Sequence, residues 1–507
     1  MDRETILVTG STGYIGGRLI PQLLNAGFKV RAVARSLDKL ISRPWNDHPN
    51  LEVVKADFLN SSSLNNMFNK VHAAYYLIHS MGSNGNDFAE ADRKCAINFI
   101  TASSTSSLSR IIYLGGLGGD ELNVSRHLKS REEVFRILSS GKVPVTTFKA
   151  GHIIGSGSAS FELLRYLCER LPFFLVPKRI INTEIQPICV RNVLNYLIKS
   201  LEKDETIGKE YSIGGPEVLT YRKLFETYAS CAGLRKPVFI DSVVPPFKAG
   251  TKIGLSVAKF LVPLSPSISI PLLEGMHVKV IAKENRIQKI IPQELMTNCE
   301  AINRAIQKDS LRIVDTRWTD AGEIKPPEWV YKGDATYSGG TLLQGGYKMT
   351  LDCTPQEIWD VISKVGGDNG WFYGDILWNI RGLLDDLAGG VGLRRGRRNP
   401  DQLYIGDALD FWRVLDVKSP KKLILLAEMK LPGEAILNFE INPFKYSTEL
   451  KLGTRFKPVG LYGILYWYSL LPFHNLLFGG MFKEIARRIK KKILYGPEKY
   501  KPGPLYF

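Results

Sequence analysis

Three glycines, at positions 10, 13 and 16, carry the most specific chemistry in the chain. They lie in Thr9 to Gly17, TGSTGYIGG, directly after the apolar run Ile6-Leu7-Val8 and ahead of a helical pattern with Leu19, Ile20, Leu23 and Leu24. At that spacing Gly10 permits a tight turn, Gly13 lets backbone approach a pyrophosphate, and Gly16 lets the helix pack closely on the strand. The start of the helix adds N–H groups without partners and a partial positive charge, which suits a phosphate. After a second apolar run, Phe28 to Ala34, comes Arg35, where a cofactor lacking a 2′-phosphate would usually meet Asp or Glu on its ribose. An arginine there pairs with a 2′-phosphate, so NADP(H) is the cofactor expected; the plainer alternative is a solvated loop arginine. Asp57 follows a third apolar run, with its carboxylate available to an adenine amino group or to a helix cap.

Such residues need a sheet to hold them. Strands are expected at Thr5 to Thr9, Lys29 to Ala34, Leu51 to Lys55, Ala73 to Ile78, Arg110 to Leu114 and Val145 to Phe148, alternating with helical stretches. That alternation predicts an α/β, doubly wound parallel sheet of the Rossmann type with helices on both faces. From Lys149 to Ile302 the chain is more helical and proline-punctuated, as for a substrate lobe. There Gly155 to Glu162 and Thr183 to Ile188 are either substrate contacts or plain connections. The expected division is a nucleotide-binding domain over residues 1–305, a linker over 306–346 that includes Pro326 and Pro327, and a second domain over 347–500. Tyr347 to Leu351 reads as that domain's first strand, and Thr354-Pro355-Gln356-Glu357 as a capped helix start.

A chain of 507 residues exceeds one core and holds 67 Lys and Arg against 50 Asp and Glu, a formal charge of +17. That excess calls for an anionic partner. No nucleic-acid motif or stacking platform is present, so nucleic acid is not the partner expected. The six cysteines have no paired spacing, which argues against a zinc site or a secreted disulfide framework. The first strand begins almost at once and leaves no room for a signal peptide, so the expected location is cytoplasmic.

With the glycine turn, Ala56-Asp57-Phe58, Leu77-Ile78-His79-Ser80-Met81-Gly82 and Ser139 to Gly155 in order, the first 300 residues resemble the atypical, NmrA-like short-chain dehydrogenase/reductases. The resemblance implies that Gly10, Thr12, Gly13, Tyr14, Ile15 and Gly16 cradle the pyrophosphate. It also places Arg35 on the ribose phosphate, Asp57 and Phe58 beside adenine, and Ile78 and His79 along the ribose. The parent family's Tyr-x-x-x-Lys pair is missing. At the matching place stand His127 and Arg131, four apart on one helix face, with His127 able to donate a proton near neutral pH or else both serving to pack or orient. Gly115 to Gly119 replaces the usual hydroxyl-bearing loop.

The second half resembles the C-terminal domain of a bacterial two-part family, a domain of unknown function with a START-like, polyketide-cyclase-like shape. The stretches that carry it are Gly366 to Pro400, Gly406 to Val414, Ala427 to Ala435 and Gly460 to His474. The implied fold is α+β, an antiparallel sheet around a long C-terminal helix, with an apolar cavity for a hydrophobic small molecule. Arg394 to Arg398 either clamps an anion or, the outcome expected, pairs with Asp385, Asp386, Asp407 and Asp410. Val459 to Phe482 is expected to be a buried helix cut short by Pro472, His474 and Asn475 rather than a membrane span. After it, basic Lys483 to Lys492 with Ile485, Ile489 and Ile493 at helical spacing suggests a C-terminus resting on an anionic membrane, at the inner face. Two functions fit: an NADP(H)-dependent oxidoreductase acting on a hydrophobic carbonyl or quinone-like compound, or a non-catalytic protein that senses or is stabilised by NADP(H).

Overall fold

The computed structural model describes residues 4–80, 88–118, 126–171, 173–241, 271–310, 314–317, 320, 342–387, 390–392 and 396–502. The chain divides into two compact units, Met1–Glu323 and Ile324–Phe507. The expected linker's Pro326 and Pro327 lie outside the described residues, as do Met81 and Gly82 and the start of the Ser125 to Arg131 segment.

The first unit is built on seven parallel strands: β1 (Thr5–Val8), β2 (Lys29–Ala34), β3 (Leu51–Lys55), β4 (Val71–Tyr76), β5 (Arg110–Gly116), β6 (Val145–Ala150) and β7 (Glu210–Ile213). Their order is β7-β6-β5-β4-β1-β2-β3, so the chain starts in the middle of the sheet and winds outward both ways. Such a sheet binds ligands at the carboxyl ends of its strands, where the order reverses beside β1. The seventh strand lies in what reads as the substrate lobe. It is four residues long, too short to show a periodicity of its own.

Helices cover both faces: α1 (Gly16–Asn25), α2 (Leu37–Ile41), α3 (Phe88–Ser103), α4 (Arg126–Ser139) and α5 (Val190–Ser200); α6 (Asn298–Ser310) packs instead in the lobe beside the sheet, through Ala301, Ile302 and Ala305. Leu19, Leu23, Val193 and Leu197 of α1 and α5 join Ile6, Val8 and Ile112 of the sheet in one apolar layer. Phe99 of α3 and Val134 and Leu138 of α4 pack with Leu7, Tyr76 and Tyr113 in the other.

The second unit has the order strand, two helices, five strands, long helix, strand. These are β8 (Leu343–Leu351), α7 (Pro355–Ile362), α8 (Asp375–Leu387), β9 (Ala408–Leu409), β10 (Trp412–Lys418), β11 (Lys422–Ala427), β12 (Gly433–Pro443), β13 (Thr448–Pro458), α9 (Gly460–Ile489) and β14 (Ile493–Tyr500). Its sheet, β9-β10-β11-β12-β13-β8-β14, is antiparallel throughout. Thr354 and Glu357 close the capping box at the start of α7, with Pro355 at its first position.

Two expectations for this unit need correction. Helix α9 is not cut at Pro472 but runs unbroken for 30 residues. Pro472 sits on its exposed side, and Asn475 is held by the Tyr347 hydroxyl at 3.0 Å, so side-chain packing carries the helix past the proline. Ile485 is 1% exposed and Ile489 packs against the core, while Ile493 belongs to β14; these three face inward, not toward a membrane. No described helix is long and apolar enough to cross a membrane.

Of the basic run, Arg394 and Arg395 lie outside the described residues. Arg398 pairs with Asp407, while Arg397 donates to the carbonyls of Val365, Asn399 and Gln402. Asp410 accepts from the Trp371 indole at 2.9 Å, and Asp385 from the backbone of Gly392 and Lys430.

Candidate cofactor and proton-transfer site

The glycine turn follows β1 and is tied to both neighbouring strands. The Thr9 hydroxyl donates to the Tyr75 carbonyl and accepts from Leu77 N–H, each at 3.0 Å; the Ser11 hydroxyl donates to Val8 and accepts from Val33 N–H of β2 at 3.0 Å. Gly10 takes φ +63°, and a Cβ there would stand 2.5 Å from the Leu77 carbonyl oxygen. A Cβ on Gly16 would run into the Gly10 carbonyl. Gly13 N–H donates to that same carbonyl at 2.9 Å. Helix α1 starts with no side-chain cap at Ile15 and no acidic residue in its first turn; Gly17 and Arg18 N–H donate to the Gly13 and Ile15 carbonyls, so the Ile15 and Gly16 N–H groups are the ones left to an anion. Thr12, half-buried, sits in the turn. Tyr14 contributes only backbone to it: its hydroxyl is buried without a partner against Gly155, its ring lies under the Arg18 guanidinium at 4.7 Å, and burial raises its pKa far above the ordinary value. Ile15 packs on the core of the first unit.

At the adenine end, Arg35 closes β2, half-buried, and makes no hydrogen bond or ion pair among the described residues. Asp57 Oδ1 accepts from Leu59 N–H at 3.0 Å, which leaves its second oxygen for a base. The Phe58 ring is turned into the core, 5.9 Å from Phe99 between centroids, and its carbonyl accepts from Asn98; it does not flank adenine through its ring. The cause is α3, which covers this end of the sheet with an apolar face.

Ile78 and His79 follow β4, within reach of α4. Arg131 donates to the carbonyls of Ile78 and Leu114 and lies 5.0 Å over the Tyr113 ring, so its charge joins the ends of β4 and β5. His127 lies beside His79, with ring centroids 5.0 Å apart. The residue that organises them is one sequence reasoning missed, Asp92 of α3, 1% exposed. One carboxylate oxygen is 3.1 Å from His79 Nδ1 and from the Ser130 hydroxyl; the other accepts from Ser80 N–H at 2.8 Å. Asp92 stands in register with Cys95, Ala96, Phe99 and Ser103, a carboxylate on the buried stripe of a helix, and that was the available signal.

Burial alone would raise the Asp92 carboxyl. The hydrogen bond from His79 and the charge its ring carries in the acid range where Asp92 titrates, with Arg131 and Ser80, outweigh it and hold the group at about 2. Burial lowers His79, against the pull of Asp92. Burial, then His79 and Arg131, lowers His127 well below 6.5. Both imidazoles are therefore neutral at neutral pH, and the expectation of His127 as an imidazolium donor there does not fit its surroundings. With Asp92 ionised, His79 carries its proton on Nδ1, and its Nε2, buried and without a partner, presents a lone pair. A carboxylate that fixes the tautomer of a histidine and stabilises its protonated form is the arrangement of a general base.

Further along the strand ends, a cavity of about 360 Å³ is lined by Leu117, Gly118, Lys149, Tyr211, Ser212 and Lys283 among others. Gln186, a possible substrate contact, spends its amide on the Gly215 carbonyl and Ala282 N–H. Glu162 likewise accepts from Gly157 N–H and pairs with Arg165. A pair not anticipated lies nearby: the Tyr221 hydroxyl is 3.1 Å from His152 Nε2, and burial pushes His152 down to about 4.

Residues 10–142 match the family described as NAD(P)H-binding. Those residues are thus similar to a nicotinamide-dinucleotide-binding domain. Residues 338–481 match the family described as "Protein of unknown function (DUF2867)". The chain is similar to cinnamoyl-CoA reductase 1 of Oryza sativa subsp. japonica, 26% identical over 129 residues, 25% of this chain and 38% of that protein. It is also similar to subunit 9 of the NADH dehydrogenase [ubiquinone] 1 alpha subcomplex, mitochondrial, of Arabidopsis thaliana, 24% identical over 43% of this chain and 56% of the relative. The chain thus spans between a third and three-fifths of these curated relatives. Among solved structures, a Staphylococcus aureus nucleoside-diphosphate-sugar epimerase aligns with TM-score 0.48 at 14% identity over 59% of this chain and 99% of its own. Citrobacter sp. triphenylmethane reductase aligns with TM-score 0.47 at 17% identity over 60% and 99%.

Proposed function

We propose that the protein is an NADP(H)-dependent oxidoreductase acting on a hydrophobic carbonyl or quinone-like compound, and that His79, supported by Asp92, exchanges the proton at the substrate oxygen. The single observation that carries this reading is the buried His79 Nε2, without a hydrogen-bond partner among the described residues and polarised through Nδ1 by Asp92, just past the end of the strand next to the glycine turn. When bound, the cofactor supplies or takes up hydride. Gly10, Thr12, Gly13 and Gly16, with the backbone of Tyr14 and Ile15, hold its pyrophosphate; Arg35 pairs with its 2′-phosphate; Asp57 accepts from its adenine; Ile78 and His79 lie along its ribose. His127 extends the polar surface beside His79, and Arg131 positions the strand ends.

For the C-terminal unit the reading is a START-like holder of the apolar compound, supported by its order of strand, two helices, five strands and long helix packed on an antiparallel sheet. The direct test follows NADPH absorbance with a panel of apolar aldehydes, ketones and quinones. Turnover that is lost in His79→Gln, with NADPH affinity retained, is the result expected. Tight NADPH binding with no turnover on any of them would leave the non-catalytic, cofactor-sensing role instead.

A further inference from the structure

We propose that helices α8 and α9 of the C-terminal unit form a surface that lies on an anionic lipid bilayer. The two helices meet at two places, with their chain directions opposed. Gly374, just before α8, approaches Leu477 and Tyr373 approaches Gly480, while Arg381 hydrogen-bonds Tyr466 further along. Each buries one face in the core, α9 through Gly463, Trp467, Leu477 and Phe478.

The opposite faces are apolar and bare. On α9, Leu461, Tyr462, Leu465, Tyr468, Phe473 and Leu476 are all about half exposed or more, with Tyr462 at 74%. On α8, Ile376, Ile380, Leu383 and Leu384 are likewise exposed, with Ile376 at 75%. At about 3.6 residues per turn each set falls on one side of its helix. Two such faces, with six and four large apolar side chains, on helices that touch exceed the scattered exposure normal for a soluble surface.

What covers this face is indicated by the rest of α9. Counting on from Leu476 by seven and then four residues, the same face continues with Lys483 and Arg487. The segment from Lys483 to Lys492 carries six cations against the single carboxylate of Glu484. Arg487 and Arg488 share that carboxylate and Lys491 reaches Glu357 at 3.2 Å, which leaves Lys483, Lys490 and Lys492 with no ion pair among the described residues and the segment strongly positive. An apolar, tyrosine-bearing helix face that runs into a basic one matches a bilayer interface, with rings at headgroup depth and cations on anionic lipid. A chain of charge +17 resists stacking the same face on a second copy. Helix α9 is not apolar enough to cross, so it lies along the surface. None of this depends on the oxidoreductase reading.

The test is co-sedimentation of the full-length protein with vesicles of phosphatidylcholine alone and of phosphatidylcholine mixed with phosphatidylglycerol. Binding to the anionic vesicles that weakens with salt, and little binding to the neutral ones, is expected. The double variant Leu461→Glu/Leu465→Glu and, separately, Lys483→Glu/Arg487→Glu should each weaken it about tenfold or more. All four side chains project from the fold, and an unchanged thermal melt verifies that the variants are folded. Vesicle binding unaffected by either pair overturns the proposal. So does a dimer, seen by analytical ultracentrifugation without lipid, that Leu461→Glu/Leu465→Glu converts to monomer, since the face then belongs to a second copy.

Discussion

Asp92→Asn tests the centre of the site on two independent readouts. In the folded protein the carboxyl titrates at about 2 against an ordinary 3.8, so it is ionised more readily there than in the unfolded chain. A folded-state pKa below the unfolded one stabilises the fold above the unfolded value, and that contribution is lost as pH falls from about 4 to about 2. Its size at neutral pH is about 2 kcal/mol, and the group is too deeply buried for solvent screening to reduce it much. Asparagine keeps the shape and can still accept from Ser80 N–H, so the variant should fold. Urea melts should find it about 2 kcal/mol less stable than wild type at neutral pH, with the gap narrowing as pH falls to about 2. A gap independent of pH would mean that shape rather than charge holds Asp92, and the account of the cluster would fail. The second readout is chemical. An amide turned with its N–H₂ toward His79 shifts the imidazole proton from Nδ1 to Nε2, removing the lone pair from the reacting side. Turnover should then fall about 10²- to 10⁴-fold with NADPH affinity nearly unchanged. Unaltered turnover in a variant whose histidine tautomer has switched by nitrogen NMR would refute His79 as the base.

Three further outcomes are expected. Calorimetry should find NADPH bound about ten- to a hundredfold more tightly than NADH, with Arg35→Ala removing most of the difference; equal affinities in the wild type would remove Arg35 from the ribose phosphate. Gly16→Ala should abolish cofactor binding and lower the melting temperature, because its Cβ meets the Gly10 backbone and neither can move aside; retained binding would mean the turn is not the cradle. In pH profiles, alcohol oxidation needs neutral imidazole, and burial lowers His79 from 6.5, so the rate should stay level across the neutral range and fall only as pH drops below the ordinary histidine value. An inflection at or above 6.5 would assign the proton to another group.

The parts legible in the sequence were those whose signal is local. Six strands and the glycine turn announce themselves within a few residues, because a buried parallel strand is a run of apolar side chains and the turn has fixed spacing. What required the fold was any role set by a distant partner. Asp92 acts on a histidine 13 residues away across a loop. Phe58 turns to the core because α3 lies over it, and Arg131 is occupied by two strand ends. The inward turn of Ile485 shows the same limit. Helical spacing reveals that a face exists, while the sheet decides which face is covered.

Arg18, in the first helix after the phosphate turn, reaches across the sequence to Asp315, Thr316 and the Ser156 carbonyl, and Arg43 and Lys39 reach Asp320. Each of these three cations is nearly without solvent contact. A chain ended at residue 305 would take these C-terminal partners from three buried cations, and losing one partner of a buried pair costs several kcal/mol. The smallest self-sufficient nucleotide-binding piece therefore extends past residue 320.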